Sequence, residues 1–261
     1  MMSAARAAGP EGPGRGAGDG EPGTGAPEDR AVDAAAIAAN VERVRARIAA
    51  AAARAGRDPG EVTLVAVAKL HPPAAVRAAV AAGVADIGEN YAQDLAAKAA
   101  EAPGARWHFV GRLQRNKAGV LVAAGALVHS LDSLAGARAL GRRAVAAGTV
   151  ARALVQVEVD ERGAAHGVAP AELDAFVAAC RAVDGLRLRG LMVMPAPTAD
   201  PEGARPAFRR AAALGRRLGP DLPELSMGMT ADYEVAVEEG ATLVRVGTAL
   251  FGPRPAKGGR R

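Results

Sequence analysis

The sequence predicts an α/β fold, a single (β/α)8 barrel of the TIM type that is preceded by an extra N-terminal helix and a disordered N-terminal tail. Short apolar runs rich in β-branched residues alternate with Ala-rich amphipathic stretches, which indicates parallel strands joined by helical crossovers. The alternation occurs eight times between residues 31 and 252, as in an eight-stranded barrel. An open doubly wound sheet is the alternative, although no predicted strand is followed by the GxGxxG motif of dinucleotide-binding sheets.

The two ends of the 261-residue chain differ in composition from its middle. Residues 1–30 contain eight Gly and four Pro but no Val, Leu, Ile or Phe. Such a segment buries too little apolar surface to offset the entropy of ordering. We therefore expect three parts: a disordered Gly/Pro-rich tail at 1–30, the barrel at 31–252 and a basic C-terminal tail at 253–261.

Composition argues against several classes of protein. No stretch of 18 strongly apolar residues and no secretory signal is present, so we expect no membrane association. The lone Cys180 cannot form an internal disulfide and fits a reducing, cytoplasmic location. The formal net charge is +5 with only 3% aromatic residues, and no long basic run lies in the middle of the chain, so nucleic-acid binding is not expected.

The predicted elements follow in chain order. An amphipathic helix over 33–55 comes first, because Ile37, Val41, Val44 and Ile48 recur at helical spacing. β-Branched apolar runs then predict eight strands, at 62–68, 84–87, 106–110, 126–130, 151–159, 186–194, 225–226 and 243–246. The polar-apolar segments between them predict helices after Pro72-Pro73 and at 91–101, 114–124, 134–148, 170–182, 202–218 and 231–240.

A lysine follows the first strand directly, at the end where barrel proteins carry their function. Lys69 comes after seven residues without a charge. Lysine, unlike arginine, can lose its proton when partly desolvated, and a neutral amine is the nucleophile that Schiff-base formation with an aldehyde requires. The alternative is a lysine whose ammonium simply extends from the strand end into solvent.

The loops after the last two strands have the composition of a phosphate site. Ser226 through Thr230 lead into the predicted helix 231–240, with Thr230 placed as its N-cap, and Arg245-Val246-Gly247-Thr248 adds a glycine and a hydroxyl. Barrels often bind phosphate at these two loops, through backbone N–H groups and a helix N-terminus. An ordinary N-cap and an ordinary turn are the alternatives. A lysine and a phosphate site on one rim together suggest pyridoxal phosphate.

Longer motifs carry a resemblance to a known family. The chain resembles the YggS/PROSC family of pyridoxal phosphate homeostasis proteins, whose barrel is similar to the N-terminal barrel of alanine racemase. The resemblance spans about 35–252 and is carried by Val65–Lys69, Gly88-Glu89-Asn90-Tyr91, Trp107–Gly111, Leu113-Gln114 with Asn116-Lys117, Arg189–Met192, Leu225–Met229 with Asp232, and Val244–Thr248 through Phe251-Gly252.

The resemblance implies a role for each matching site residue. Lys69 would hold pyridoxal 5′-phosphate covalently as an internal aldimine, Arg245 would face the pyridine nitrogen, and Asn90 would lie beside the cofactor. The phosphate would be held by Ser226, Thr230, Gly247 and Thr248. No catalytic residue and no metal ligand is implied, and His108 is expected to be a hydrogen-bonded structural histidine.

The sequence departs from the family pattern at two positions. Ala165 stands where the family often has lysine, and Thr230 replaces the usual serine but keeps the hydroxyl. The first change removes any second lysine role at that position.

The implied function is intracellular homeostasis of pyridoxal phosphate by a cytoplasmic, monomeric protein without appreciable catalysis of its own. It would hold the cofactor and supply it to apo-enzymes that depend on it, which are the expected protein partners. Two alternatives stay open: a pyridoxal-phosphate-dependent amino-acid racemase of the alanine racemase type, and a phosphate-binding barrel isomerase or synthase without this cofactor. An arginine at the pyridine nitrogen disfavours racemase chemistry, as does the expected lack of a further domain after the last strand.

Overall fold

The structure, a computed structural model, describes residues 32–159 and 167–253. These residues form a closed barrel of eight parallel strands that pair in chain order, with the last strand pairing back to the first. The strands are β1 (Thr63–Val67), β2 (Asp86–Glu89), β3 (Arg106–Phe109), β4 (Leu127–Leu131), β5 (Ala151–Gln156), β6 (Leu186–Met192), β7 (Glu224–Ser226) and β8 (Leu243–Val246). The predicted (β/α)8 barrel is confirmed.

Helices surround the barrel, and one helix precedes it as predicted. They are α1 (Ala34–Arg54), α2 (Pro73–Ala81), α3 (Ala92–Glu101), α4 (Ala118–Ala123), α5 (Leu134–Ala146), α6 (Leu173–Arg181), α7 (Arg205–Leu218), α8 (Tyr233–Glu238) and α9 (Thr248–Phe251). The carboxylate of Asp33 caps α1 by accepting a hydrogen bond from the Ala36 N–H, at 2.9 Å. The buried stripe of α1 packs against α2, α8 and α9.

The strands have two buried faces, as expected for an all-parallel sheet. One face packs against the helices and belongs to the main apolar core. The other fills the barrel interior, where a separate apolar cluster consists of Val65, Leu127, Leu154, Met192 and Leu243. Polar side chains occupy further interior positions of the strands and are also buried: Asp86, His108, His129, Ser226 and Arg245.

The structure shifts several boundaries relative to the sequence prediction. β2 begins at Asp86 rather than at Val84, because the Val84 N–H caps the end of α2 by binding the Ala79 carbonyl after Gly83, whose φ is +87°. The prediction that Thr230 caps α8 was wrong, since the residue that precedes this helix is Asp232. The four-residue helix α9 was not predicted.

Some predictions concern residues outside the described ranges. They include the disordered tail at 1–30, all but the first residue of the basic tail at 253–261, and the replacement at Ala165. Among the described residues, none of the helices is long and apolar enough to cross a membrane.

Candidate functional site

The turn that follows β1 presents Lys69 at the carboxyl rim of the barrel. The His71 N–H closes this turn on the Ala68 carbonyl at 3.1 Å. Leu70, within the turn, has φ of +66° and is the only non-glycine residue of the described ranges with a positive φ. A left-handed leucine costs on the order of 1–2 kcal/mol, and such strain concentrates at functional sites.

The side chain of Lys69 is half-buried and uncommitted. Its Nζ lies 5.5 Å from the ring centroid of Tyr91, within the range of a cation–π contact. Throughout 32–159 and 167–253, neither a hydrogen bond nor an ion pair engages this Nζ. The amine is therefore available to a ligand.

A buried ion pair connects the Lys69 turn to the loop after β2. Lys98 of α3 donates from Nζ to Glu89 Oε2 at 2.5 Å and to the Ala68 carbonyl at 2.8 Å. The other carboxylate oxygen of Glu89 accepts from the Asn90 N–H at 2.6 Å and from the Tyr91 N–H at 3.3 Å. The pair thus holds together the two backbone segments that carry Lys69 and Asn90.

Sequence reasoning missed this ion pair. One signal was present, because Lys98 continues the buried face of α3 at three-residue spacing after Ala92 and Leu95. A lysine on the apolar face of a helix needs a buried anion, and Glu89 at the end of a fully buried strand supplies it.

Asn90 lies where the loops after β2 and β3 touch. A Cβ atom on Gly111 would stand 1.9 Å from the Asn90 carbonyl oxygen, so only glycine permits this approach. The Asn90 side chain is half-buried at the rim, directly after β2, which pairs with the strand that leads to Lys69.

The loop after β7 turns sharply and contacts the end of β8. Gly228 has φ of +87°, and a Cβ there would stand 2.5 Å from Cβ of Ala236. Asp232 Oδ1 accepts from the Met229 N–H at 2.6 Å. The hydroxyl of Thr230, which does not cap α8, accepts from the Gly247 N–H at 3.3 Å.

The loop after β8 brings small groups and backbone N–H donors next to the Lys69 strand. An added Cβ on Gly247 would lie 3.3 Å from the Val67 carbonyl oxygen, so the two loops are in contact. Thr248 is exposed and begins α9. Backbone N–H groups at the start of a helix lack intrahelical partners and favour anions.

Arg245 is a buried cation on β8, 6% exposed. Its Nη1 donates to Ser226 Oγ at 2.6 Å and its Nη2 to the Val193 carbonyl at 3.0 Å. Burial lowers the pKa of Arg245 to about 10, an effect that the Asp232 carboxylate partly opposes. The guanidinium therefore stays charged at neutral pH, and its remaining N–H groups can serve another acceptor.

Ser226 is fully buried beside Arg245, and its hydroxyl is already engaged on two sides. Besides the contact from Arg245, Ser226 Oγ lies 2.9 Å from Nδ1 of His129. Thr230, Gly247 and Thr248 are accessible at the rim, whereas Ser226 faces the barrel interior.

The predicted site residues share one arc of the rim. They lie at the ends of β1, β2, β7 and β8 or directly after them, and these four strands are contiguous around the barrel because β8 pairs with β1. The arc is cationic through Lys69 and Arg245, which suits an anionic ligand with an electrophilic carbon. Within the described residues, no group of three or more His, Cys, Asp or Glu side chains could hold a metal ion.

Comparison with known sequences gives consistent matches. The family model described as alanine racemase, N-terminal domain, matches residues 32–255. A pyridoxal phosphate homeostasis protein of Pseudomonas aeruginosa is 45% identical over 220 residues, which cover 84% of this chain and 96% of that protein. One of Escherichia coli K12 is 39% identical over 227 residues, covering 84% and 97%.

Solved structures agree with these matches. PipY of Synechococcus elongatus, solved with PLP bound, superposes with a TM-score of 0.72 at 37% identity and covers 83% of this chain and all of PipY. Alanine racemase of Corynebacterium glutamicum superposes with a TM-score of 0.66 over 88% of this chain and 64% of the racemase. At 19% identity, the racemase shows a shared fold alone.

Proposed function

The chain belongs to the alanine racemase N-terminal domain family, and on that premise we propose that it binds pyridoxal 5′-phosphate and serves its intracellular homeostasis rather than amino-acid turnover. The observation that carries the proposal is the uncommitted amine of Lys69 on the same arc of the rim as the buried cation Arg245 and the anion-binding loops after β7 and β8. The naming of relatives as pyridoxal phosphate homeostasis proteins supports it, as does PLP in the PipY structure.

The chemistry of the donor set fits this cofactor. When bound, pyridoxal phosphate supplies an aldehyde that condenses with primary amines and a ring that withdraws electrons. Lys69 binds the aldehyde carbon covalently through Nζ. Lys98 is unsuited to this role, because its Nζ is held by Glu89 and by the Ala68 carbonyl.

The phosphate is bound by Thr230, Gly247 and Thr248. Gly247 leaves room for a phosphate close to the backbone, and its N–H and the Thr230 hydroxyl already lie within 3.3 Å of each other. Asn90 lies beside the cofactor. Ser226, which the sequence also assigned to the phosphate, is instead assigned to the ring side of the site, because its hydroxyl is engaged by His129 and Arg245.

Arg245 faces the pyridine nitrogen as a permanent donor. A charged guanidinium can only donate hydrogen bonds, so it pairs with the lone pair of an unprotonated pyridine nitrogen and repels a protonated one. The ring then withdraws electrons weakly. Racemisation and transamination depend on strong withdrawal. The buried Arg245 therefore favours storage and delivery of the cofactor, with apo-enzymes as recipients, over the racemase alternative.

Covalent attachment is tested by reduction and peptide mapping. The protein is incubated with pyridoxal phosphate, reduced with borohydride and digested, and the adduct is located by mass spectrometry. We expect it on Lys69 and expect it to be lost in Lys69→Ala, while Lys117→Ala, a control at a lysine outside the assigned site residues, keeps it. An adduct confined to Lys98, Lys117 or Lys257 would contradict the assignment.

Delivery and turnover are separated in a second experiment. Protein loaded with cofactor and freed of excess is assayed for racemase, decarboxylase and transaminase activity, and for reactivation of an apo-enzyme. We expect reactivation without appreciable turnover. Turnover that survives repurification and disappears in Lys69→Ala would establish the racemase alternative instead.

A further inference from the structure

A chain of hydrogen-bonded side chains crosses the barrel interior and ends at the candidate site. Asp86 Oδ1 lies 3.0 Å from His108 Nε2, His108 Nδ1 lies 2.9 Å from His129 Nε2, and His129 Nδ1 lies 2.9 Å from Ser226 Oγ. Arg245 donates to the same oxygen at 2.6 Å. The five residues come from β2, β3, β4, β7 and β8, and each is at most 8% exposed.

With one ring proton on each histidine, the protons in this series of hydrogen bonds have one consistent arrangement. The Asp86 carboxylate accepts from Nε2–H of His108, so Nδ1 of a neutral His108 is an acceptor. Nε2–H of His129 must then donate to it, which leaves Nδ1 of His129 as an acceptor for the hydroxyl of Ser226. Burial, together with the neighbouring His108 and the charge of Arg245, lowers the pKa of His129 well below its usual value, which keeps this imidazole neutral.

This arrangement determines what Ser226 can do. Its single proton points to His129, so the oxygen faces Arg245 as an acceptor and has no proton to donate to a phosphate. Two hydrogen bonds fix the guanidinium, and this oxygen accepts one of them. The donor-to-acceptor direction of these hydrogen bonds is fixed from the Asp86 end of the series, where the exposed Arg106 pairs with the Asp86 carboxylate.

We propose that His108 and His129 are positioning residues that hold the Ser226 hydroxyl as an acceptor for Arg245 and so fix the guanidinium against the cofactor ring. The proposal rests on the proposed function and extends it from the rim into the barrel. The charged and titratable groups that face the chain are Asp86 and Arg106 at one end and Arg245 with Asp232 at the other.

The proton arrangement is tested in the protein without cofactor. Nitrogen NMR of the histidine side chains at neutral pH, assigned with single-histidine variants, should show His108 and His129 both protonated at Nε2 and bare at Nδ1. The opposite tautomer at either residue, or averaging between the two tautomers, would overturn this arrangement of protons. This measurement is independent of cofactor binding.

The positioning role is tested with two ligands that differ only in the phosphate. His129→Leu and Ser226→Ala should each weaken pyridoxal phosphate and pyridoxal by the same factor, about tenfold or more, because both act on the ring through Arg245. The double variant should be no weaker than either single variant, since the two residues act in series. Thr248→Ala should weaken pyridoxal phosphate alone.

Leu154→Ala provides the matched control, because Leu154 is a fully buried interior residue that takes no part in this series of hydrogen bonds. It should destabilise the barrel and leave both affinities unchanged. Three results would overturn the positioning role. They are a loss of affinity for pyridoxal phosphate alone in Ser226→Ala, losses of affinity that add in the double variant, and a loss of affinity in Leu154→Ala as large as in the other variants. If the wild-type protein bound no cofactor, the proposed function would fail. The histidine spectra of the cofactor-free protein would still show whether the proposed arrangement of protons is correct.

Discussion

Glu89 and Lys98 form a buried ion pair, in which the charge of each residue offsets the free-energy cost of burying the other. Their side chains are 0% and 6% exposed, and they bind the backbone of the Lys69 turn and of the loop after β2. Because a buried charge without a partner is far more costly than the pair, these two residues constrain each other more than any exposed ion pair of the structure does.

Removal of one partner should therefore be costly, and removal of both should cost less. We expect Glu89→Gln and Lys98→Met each to lower the free energy of unfolding by about 3–5 kcal/mol, as measured by urea denaturation, and the double variant to recover part of that loss. Arg77→Ala, which breaks the exposed pair with Glu101, should cost at most about 1 kcal/mol. Equal, small effects in all variants would contradict this account.

Asp86 makes the stability of the folded protein depend on pH in the acidic range. Burial alone would raise the pKa of Asp86, but hydrogen bonds from His108 and Arg106 outweigh it and lower the pKa from 3.8 to about 2. A carboxylate with a lowered pKa in the folded state stabilises it above the unfolded pKa, and the contribution is lost as the pH falls from about 4 to about 2.

We expect Asp86→Asn to be less stable than the wild type by about 2 kcal/mol more at pH 6 than at pH 2. Chemical denaturation at a series of pH values measures this difference. Asp174→Asn, which removes an exposed carboxylate, should show a difference from the wild type that varies little over the same range. A constant difference for Asp86→Asn would show that its carboxylate is not stabilised by folding.

The sequence predicted the rim residues better than the contacts that support them. Lys69 and Thr248 could be placed directly after β1 and β8, and Arg245 on β8, because the apolar runs of these strands are recognisable in the sequence. The pairing of Glu89 with Lys98 and of His108 with His129 could not be predicted, since it depends on which side chains meet across loops and across the barrel interior. Periodicity assigns a face to each residue but names no partner.

At the scale of elements, the β7–α8 loop depends on one glycine. Gly228 combines a positive φ with a backbone that packs against α8, where a methyl group would collide with Ala236 and with Cα of Tyr233. The loop conformation places Thr230 against Gly247. Any change that moves the turn therefore moves the proposed phosphate site.

We expect Gly228→Ala to lower the free energy of unfolding by roughly 2–4 kcal/mol, the combined cost of strain and overpacking. It should also weaken pyridoxal phosphate more than pyridoxal. Thermal unfolding and titration with both ligands test this. Gly215→Ala is the control, because Gly215 lies within α7 with open space at its Cβ, and it should be neutral or stabilise by up to about 1 kcal/mol. An equal loss of affinity for pyridoxal phosphate and pyridoxal would show that the Gly228 turn does not act on phosphate binding.

The elements that the sequence misplaced are those whose ends depend on backbone capping. Val84 is apolar and β-branched, which favours a strand, yet its N–H completes the cap of α2. The helix α9 is a single turn of Thr-Ala-Leu-Phe, too short to show helical periodicity. The eight apolar runs, by contrast, gave the correct number and order of strands because most residues of each strand are buried.

At the scale of the whole molecule, the barrel is expected to be independent of residues 1–30. That segment has no Val, Leu, Ile or Phe to bury, and α1 is capped by Asp33 from within the described residues. Deletion of 1–30 should leave the melting temperature and the affinity for pyridoxal phosphate unchanged. Calorimetry and titration of the truncated protein test this, and a large fall in the melting temperature would show that the segment packs against the barrel.

The pairing of β1 with β8 has a consequence for biosynthesis. Lys69 emerges from the ribosome well before Arg245 and Thr248, and the two groups become neighbours only when β8 pairs with β1. A nascent chain that lacks β8 therefore exposes the Lys69 amine without the groups proposed to recognise phosphate and ring. On the proposed function, selective capture of the cofactor has to follow translation of β8, and occupancy of the site reports that the barrel has closed.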